Sequence, residues 1–243
     1  MCLLAFGIEL SPRYRFAFAA NRDELHTRPT ASANWWTNPA GILGGRDLVA
    51  GGSWLAVDEK GRLAAVTNCH DPSVGERPRS RGLLVSDYLS GSRSSEDFLA
   101  GLQRERDLYG PFNLLVFDGH AARYFSNRAP GRLLRQGAHA LSNAPLGVPW
   151  PKVRRAKQGI RAALRRSDTV AALFELLAER AAAGETQEQA RKSGLFVEDE
   201  RFGTRSSTVV LLSNTGEVSF VERRFDAAAR LLGESRHGFT LGA

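Results

Sequence analysis

The chain has 243 residues, room for one large domain or two small ones at roughly 150 residues each. Hydrophobic residues make up 42% and charged residues 24%, a balance that excludes wholesale disorder. No run reaches the roughly 18 apolar residues of a membrane span, and two cysteines make no disulfide framework. Met1–Leu10 is apolar but has no basic leader and carries Glu9, so a soluble, cytoplasmic protein is expected. The formal charge is 33 − 26 = +7, and only Lys60, Lys152, Lys157 and Lys192 are lysines. An arginine excess favours bidentate contacts to carboxylate or phosphate, although a solvated basic surface reads the same way.

In chain order, Cys2–Leu10 and Tyr14–Ala20 read as strands joined by a turn at Ser11-Pro12. The stretch from His26 to Gly52, rich in Pro, Asn and Gly, reads as a long loop. Trp54–Val57 and Leu63–Thr67 flank Asp58-Glu59-Lys60-Gly61 as a hairpin. Helical spacing follows over Gly82–Leu89 and Ser95–Gln103, with Ser94 or Ser95 as the start signal. Strands return at Phe112–Phe117, Ala122–Phe125 and Leu133–Leu134. Helices are expected over Lys152–Arg165 and Thr169–Ala183, the second capped by Asp168. The chain then closes on a hairpin, Thr208–Leu212 and Val218–Phe225, around Asn214-Thr215-Gly216. Strand runs around a helical middle predict a single antiparallel α+β domain over residues 1–243.

The first candidate for chemistry is Cys2. Loss of Met1 would make it the N-terminal residue, and its α-amine, with a pKa of about 7.7–8.0, can then serve as base for its own thiol. The bland alternative is a small packed hydrophobe. Asn21-Arg22-Asp23-Glu24 closes the second apolar run; Arg22 beside Cys2 would favour thiolate, and Asp23 would hold an ammonium. Read alone, the tetrapeptide is equally a solvated turn. Asn68 and Asn143 follow the apolar runs Leu63–Val66 and Ala140-Leu141, where an amide suits an oxyanion hole or simply a turn. Arg205, in Gly203-Thr204-Arg205-Ser206-Ser207-Thr208, offers a second cation.

His26, His70, His120, His139 and His237 are scattered without metal-ligand spacing, and neither Gly44-Gly45 nor Gly51-Gly52 forms a nucleotide fingerprint. Cys69 reads as a packed residue. Lys152–Arg166 carries seven cations and no acid around a stripe of Val153, Ala156, Ile160 and Ala163/Leu164. Such a helix binds an anionic ligand or lies as a solvated face. It lacks the interleaved aromatics of a single-strand nucleic-acid surface, and no nucleic-acid partner is expected.

An ordered set of short motifs then stands out: Met1-Cys2-Leu3, Ala20-Asn21-Arg22-Asp23-Glu24, Arg28-Pro29-Thr30, Gly51-Gly52-Ser53-Trp54-Leu55, Thr67-Asn68, Phe112-Asn113-Leu114, Leu141-Ser142-Asn143-Ala144, Pro149-Trp150 and Gly203-Thr204-Arg205. Together they closely resemble the NRDE family, bacterial relatives of the transport and Golgi organisation protein 2. The resemblance implies an N-terminal-nucleophile (Ntn) hydrolase-type fold, a four-layer αββα sandwich of two antiparallel sheets between helices. By further analogy with N-terminal-cysteine hydrolases of bile-salt hydrolase and penicillin V acylase type, it implies a site of Cys2, Arg22, Asp23, Asn68, Asn143 and Arg205. The chain departs from the family's habit at Leu25-His26 and at Cys69, where aromatic residues are usual.

The implied activity is hydrolysis or acyl transfer at a non-peptide amide, needing no cofactor, with Cys2 as nucleophile after removal of Met1. The alternative implied by the eukaryotic relatives is a non-catalytic binding or trafficking protein for an acidic amphiphile, haem or an acyl-coenzyme A. The chain's size also permits a homodimer.

Overall fold

The computed structural model describes residues 2–69, 71 and 73–242. Met1 and His70, on which sequence expectations fall, lie outside the described residues. The chain forms two compact units, each assembled from separated stretches.

The first unit comprises the residues up to Arg28, then Gln136–Ser142 and Gly147–Thr240. Its antiparallel sheet contains β1 (Cys2–Ile8), β2 (Tyr14–Leu25), β10 (Gly137–Leu141), β11 (Phe202–Ser213), β12 (Glu217–Phe225) and β13 (Leu231–Thr240), in the order β10-β1-β2-β11-β12-β13. Alternation along β1 and β2 sends Leu3, Ala5, Ala17 and Ala19 into a core shared with α3 (Pro151–Ala163) and α4 (Thr169–Leu177). The small residues on the strands let the helices come close. Ile160, Leu173 and Leu177 fill the space from the helix side. A further short helix, α5, spans Gln187–Ser193 and is closed by a capping box at Thr186 and Gln189.

The second unit comprises Pro29–Arg135, Asn143–Leu146 and the residues from Leu241. Its sheet runs in chain order through β3 (Thr30–Thr37), β4 (Ala40–Asp47), β5 (Leu55–Asp58), β6 (Leu63–Asn68), β7 (Phe112–Phe117), β8 (Ala122–Ser126) and β9 (Arg132–Leu134). Such a meander needs only short hairpin joins, apart from the segment carrying α1 (Leu83–Ser90) and α2 (Ser95–Glu105). Those helices bury Leu84, Tyr88, Phe98 and Leu102 against Ala64, Val66, Leu114 and Val116 of the sheet. As expected, Ser94 caps α2, its hydroxyl accepting from the Asp97 N–H at 3.0 Å.

Five sequence expectations change. The segment expected as a loop from His26 to Gly52 contains the hairpin β3–β4, because Ala33, Trp36, Ile42 and Leu43 are buried despite their Gly- and Asn-rich neighbours. The second strand runs past its expected end at Ala20, through Asn21-Arg22-Asp23-Glu24 to Leu25, because β11 pairs with it as far as Phe202. Asp168 occupies the cap position of α4 without capping it. Its carboxylate turns back to Arg166 at 2.7 Å instead, and the helix stops at Leu177 rather than Ala183. The final hairpin gains a third strand, β13. Among the described residues no helix is long and apolar enough to cross a membrane.

Candidate active site

Cys2 opens β1 and lies directly opposite Arg22 of β2. Opposed residues in an antiparallel pair share a face, so the thiol and the guanidinium project together. Arg22 is buried and reaches Glu24 at 3.7 Å. On the other side of β2, Arg22 is paired with Ser206 and Asp23 with Thr204, and the register shifts between Thr204 and Ser206. Arg205 is therefore the extra residue of a β-bulge, a device that re-aims a side chain. Its Nη1 donates to the carbonyls of Leu25 at 2.9 Å and Arg28 at 3.1 Å, fastening the chain as it leaves β2.

Asp23 is the most enclosed acid of the group, at 3% exposure. Its Oδ1 accepts from Thr204 Oγ1 at 2.6 Å, and its backbone N–H donates to the Cys2 sulfur. Burial pushes its carboxyl up, against the pull of Lys152, the Thr204 hydrogen bond and Arg22. Burial likewise pushes the Cys2 thiol up, and Arg22 only partly offsets it. Desolvation outweighs the neighbouring Arg22 guanidinium at the sulfur. Asn21 serves the fold. Its Nδ2 donates to the carbonyls of Leu177 at 2.8 Å and Leu195 at 2.9 Å, and its Oδ1 accepts from Ser207.

Two residues outside the sequence expectation belong to this cluster. Ser142 Oγ donates to the Cys2 carbonyl at 2.6 Å. Lys152, the second residue of α3, is fully buried, and its Nζ has no hydrogen-bond partner among the described residues. Burial pushes this amine's pKa down, while Asp23 and Cys2 pull it back up. The sequence carries one trace of this: Lys152 sits on the same helical stripe as Ala156, Ile160 and Ala163, all buried.

Asn68 and Asn143 belong to the second unit, where they meet one another: Asn143 Nδ2 donates to the Asn68 carbonyl at 2.8 Å. Asn143 is buried, whereas Asn68, at the end of β6, is exposed. The loop that carries Asn143 is held by Asn113, whose Nδ2 donates to Thr67 Oγ1 and to the Ala144 carbonyl, both at 3.1 Å. Tyr124 links Asn113 Oδ1 to the Leu146 N–H. Cys69 is free and buried, and burial raises its thiol pKa.

A family model described as Transport and Golgi organisation 2 matches residues 1–227. The chain is 33% identical to the mouse Transport and Golgi organization 2 homolog and 32% identical to the human Transport and Golgi organization protein 2 homolog, with 92% of each chain covered in both comparisons. The Drosophila melanogaster protein of that name is 26% identical over 91% of each chain. Among solved structures, a Caenorhabditis elegans N-acylethanolamine-hydrolyzing acid amidase ortholog superposes with a TM-score of 0.56 at 13% identity, covering 87% of this chain and 92% of that one. A C2A mutant of conjugated bile acid hydrolase from Clostridium perfringens gives 0.54 at 10% identity, covering 99% and 92%. At these identities the likeness carries the fold alone. It bears out the expected α+β, Ntn-hydrolase-type fold with two antiparallel sheets.

Proposed function

We propose that this chain, which belongs to the Transport and Golgi organisation 2 family, is an N-terminal-cysteine hydrolase or acyl-transfer enzyme acting on a non-peptide amide. The observation that carries the reading is the pairing of Cys2 with Arg22 across β1 and β2, beside the enclosed carboxylate of Asp23. The printed names of the structural neighbours, an amidase and a bile acid hydrolase, support the same reaction class.

After removal of Met1, the Cys2 sulfur attacks the carbonyl carbon and the α-amine handles the proton. The C–N bond then breaks as the amine leaves, and water cleaves the thioester. Arg22 holds an anionic part of the substrate or the developing charge. Asp23 holds the ammonium. The chemistry needs no cofactor. The oxyanion role implied for Asn68 and Asn143 rests on the family resemblance, and an Asn143→Ala variant tests it by kcat.

The test of the main reading is a panel of N-acyl amides, with fatty, bile-acid-like and amino-acid head groups, offered to the wild type and to Cys2→Ala. Turnover that disappears in Cys2→Ala while the circular dichroism spectrum is kept supports the reading. Turnover equal in both proteins overturns it.

A second reading, a carrier of an acidic amphiphile such as haem or an acyl-coenzyme A, is favoured by one observation. Arg154, Lys157 and Arg161 on α3, with Arg165 just beyond it, are exposed and spaced to form one cationic stripe. A haem titration followed by absorbance, with an acyl-coenzyme A thermal shift beside it, tests this reading. No change with either ligand counts against it.

A further inference from the structure

A lysine without a hydrogen bond is a costly thing to bury, because an isolated ammonium loses its hydration with nothing to replace it. Lys152 is such a residue, with 0% exposure and an Nζ that has no partner among the described residues. Its place in α3 adds to the cost. It is the second residue of the helix, where the unpaired backbone N–H groups make a positive end that disfavours a cation. A methionine would fill the volume without either penalty. The Trp150 ring lies with its centroid 5.8 Å from Nζ and gives only a weak cation–π partner.

Among the described residues, the elements packed around this amine bring few charged groups to it. From β1 it is Cys2, and from β2 it is Asp23. From β10, which also packs against α3, the residues turned toward the helices are Ala138 and Ala140, while His139 stacks on Phe6 at 5.2 Å. Toward α5 the contact is made by Arg155, which donates to the Ser193 carbonyl. Against α4 the helix presents Gly159, seated on Leu176. Among the described residues, one acid and one thiol are thus the groups that act on Nζ. These two are themselves joined, since the Asp23 backbone N–H donates to the Cys2 sulfur.

We propose that Lys152 is the proton acceptor that activates Cys2, with Asp23 as the carboxylate that stabilises its protonated form. The inference rests on the reading of Cys2 as a nucleophile and assigns to Lys152 the proton transfer given there to the α-amine. The S–H bond breaks as an N–H bond forms on Nζ, with one water relaying the proton. The sulfur pair forms the S–C bond, and the carbonyl π pair moves to oxygen. The ammonium then returns its proton to the leaving nitrogen as the C–N bond breaks. In the second half, Nζ takes a proton from the water that cleaves the thioester and gives it back to sulfur. The balance is one amide and one water consumed, one acid and one amine released. An amine kept neutral by burial is suited to the first step, and the folded environment pushes Lys152 in that direction.

The experiment is alkylation of the whole protein by iodoacetamide from pH 6 to 10, with Cys2 and Cys69 followed separately by peptide mass. Wild type, Lys152→Met, Lys152→Arg and Cys2→Ala are compared. In wild type, Cys2 is expected to react faster than Cys69, with an inflection shared with Lys152. Lys152→Met is expected to slow Cys2 at neutral pH at least tenfold and to move its profile to higher pH, leaving Cys69 unchanged. Lys152→Arg, a permanent cation, is expected to keep Cys2 fast but to flatten its dependence on pH.

Identical Cys2 profiles in wild type and Lys152→Met would overturn the proposal while leaving the nucleophile reading intact. A wild-type Cys2 no faster than Cys69 would overturn both. Should the variants fail to fold, the 13C shifts of Lys152 Cε and Cys2 Cβ in the wild type decide it. Titration of the two in step supports the proton transfer, and a Lys152 that stays charged to pH 10 overturns it.

Discussion

Ser142 Oγ donates to the Cys2 carbonyl at 2.6 Å. Pairing of β1 with β10 begins only at Leu4 and Leu141, whereas on the other side Cys2 is already paired with Arg22. The hydroxyl therefore extends the grip of β10 to the residue that carries the thiol. Ser142→Ala should lose a hydrogen bond with a net worth of about 1 kcal/mol, or roughly 2–4 °C in Tm. Cys2 alkylation should slow by more than that loss of stability would predict, and Ser142→Thr should restore it. Equal alkylation in Ser142→Ala and wild type would show that the contact does not position the thiol.

Asn21 sits within the motif Asn21-Arg22-Asp23-Glu24 but faces the helices. Its removal strands the carbonyls of Leu177 and Leu195 and the hydroxyl of Ser207. Asn21→Ala should destabilise by on the order of 3 kcal/mol, or roughly 6–12 °C, since each buried unpaired group costs about 1–3 kcal/mol. Thermal unfolding by circular dichroism reads this. A Tm within 2 °C of wild type would sink it, taking about 2 °C as the smallest shift expected per kcal/mol.

Gly52, ahead of Ser53-Trp54, sits where a side chain does not fit. A Cβ there would overlap the backbone carbonyl of Gly82, the same carbonyl that accepts from the Ser53 N–H at 3.1 Å. Backbone cannot give way as a side chain would. Gly52→Ala is therefore expected to cost about 1–3 kcal/mol or more. Gly75→Ala, where a Cβ meets nothing within 4 Å, is the matched control and should be neutral.

Asp118, in the turn after β7, ties that turn to α2. Although its burial acts to raise its pKa, hydrogen bonds from Ser95 Oγ and the Ala121 and His120 N–H groups, together with Arg123, hold its carboxyl below the ordinary range. A carboxyl lowered in the folded state binds its proton more weakly there than in the unfolded chain. Its contribution is thus full above the unfolded value of about 3.9 and is lost as pH falls through the lower folded value. The Tm difference between wild type and Asp118→Asn should be largest near neutrality and should close below about pH 4. A gap that widens on acidification would contradict the sign.

Much of the framework was legible because its elements keep their own rules. The apolar runs of β1, β2 and β7, the Ser94 cap and the Asp58–Gly61 turn each carry local signals that the fold obeys. What escaped was set by distant partners. The polar tetrapeptide reads as a turn until β11 supplies Thr204 and Ser207 to satisfy it. The β3–β4 hairpin hides behind glycines that are there for close approach, with Trp36 Nε1 closing on the Gly44 carbonyl at 2.9 Å. Cys2, Arg22 and Asp23 were foreseen as neighbours, and the register places them so. Lys152 was counted with a basic surface because charge normally means water. Only its place on the apolar stripe of α3 pointed inward.

The pairing of β2 with β11 has a consequence for how the protein is made. Asp23 and Thr204 are neighbours in the sheet, yet most of the chain is synthesised between them. A ribosome delivers β1 and β2 first, and this hairpin then waits with an open edge until residues 202–213 emerge. Pairings between such distant segments are slow to close, and an unpartnered edge invites association with other chains in the meantime. The strands that hold the cysteine are thus the earliest made and among the last to be completed. Truncations near the C-terminus should strike the N-terminal site harder than cuts within the second unit's loops.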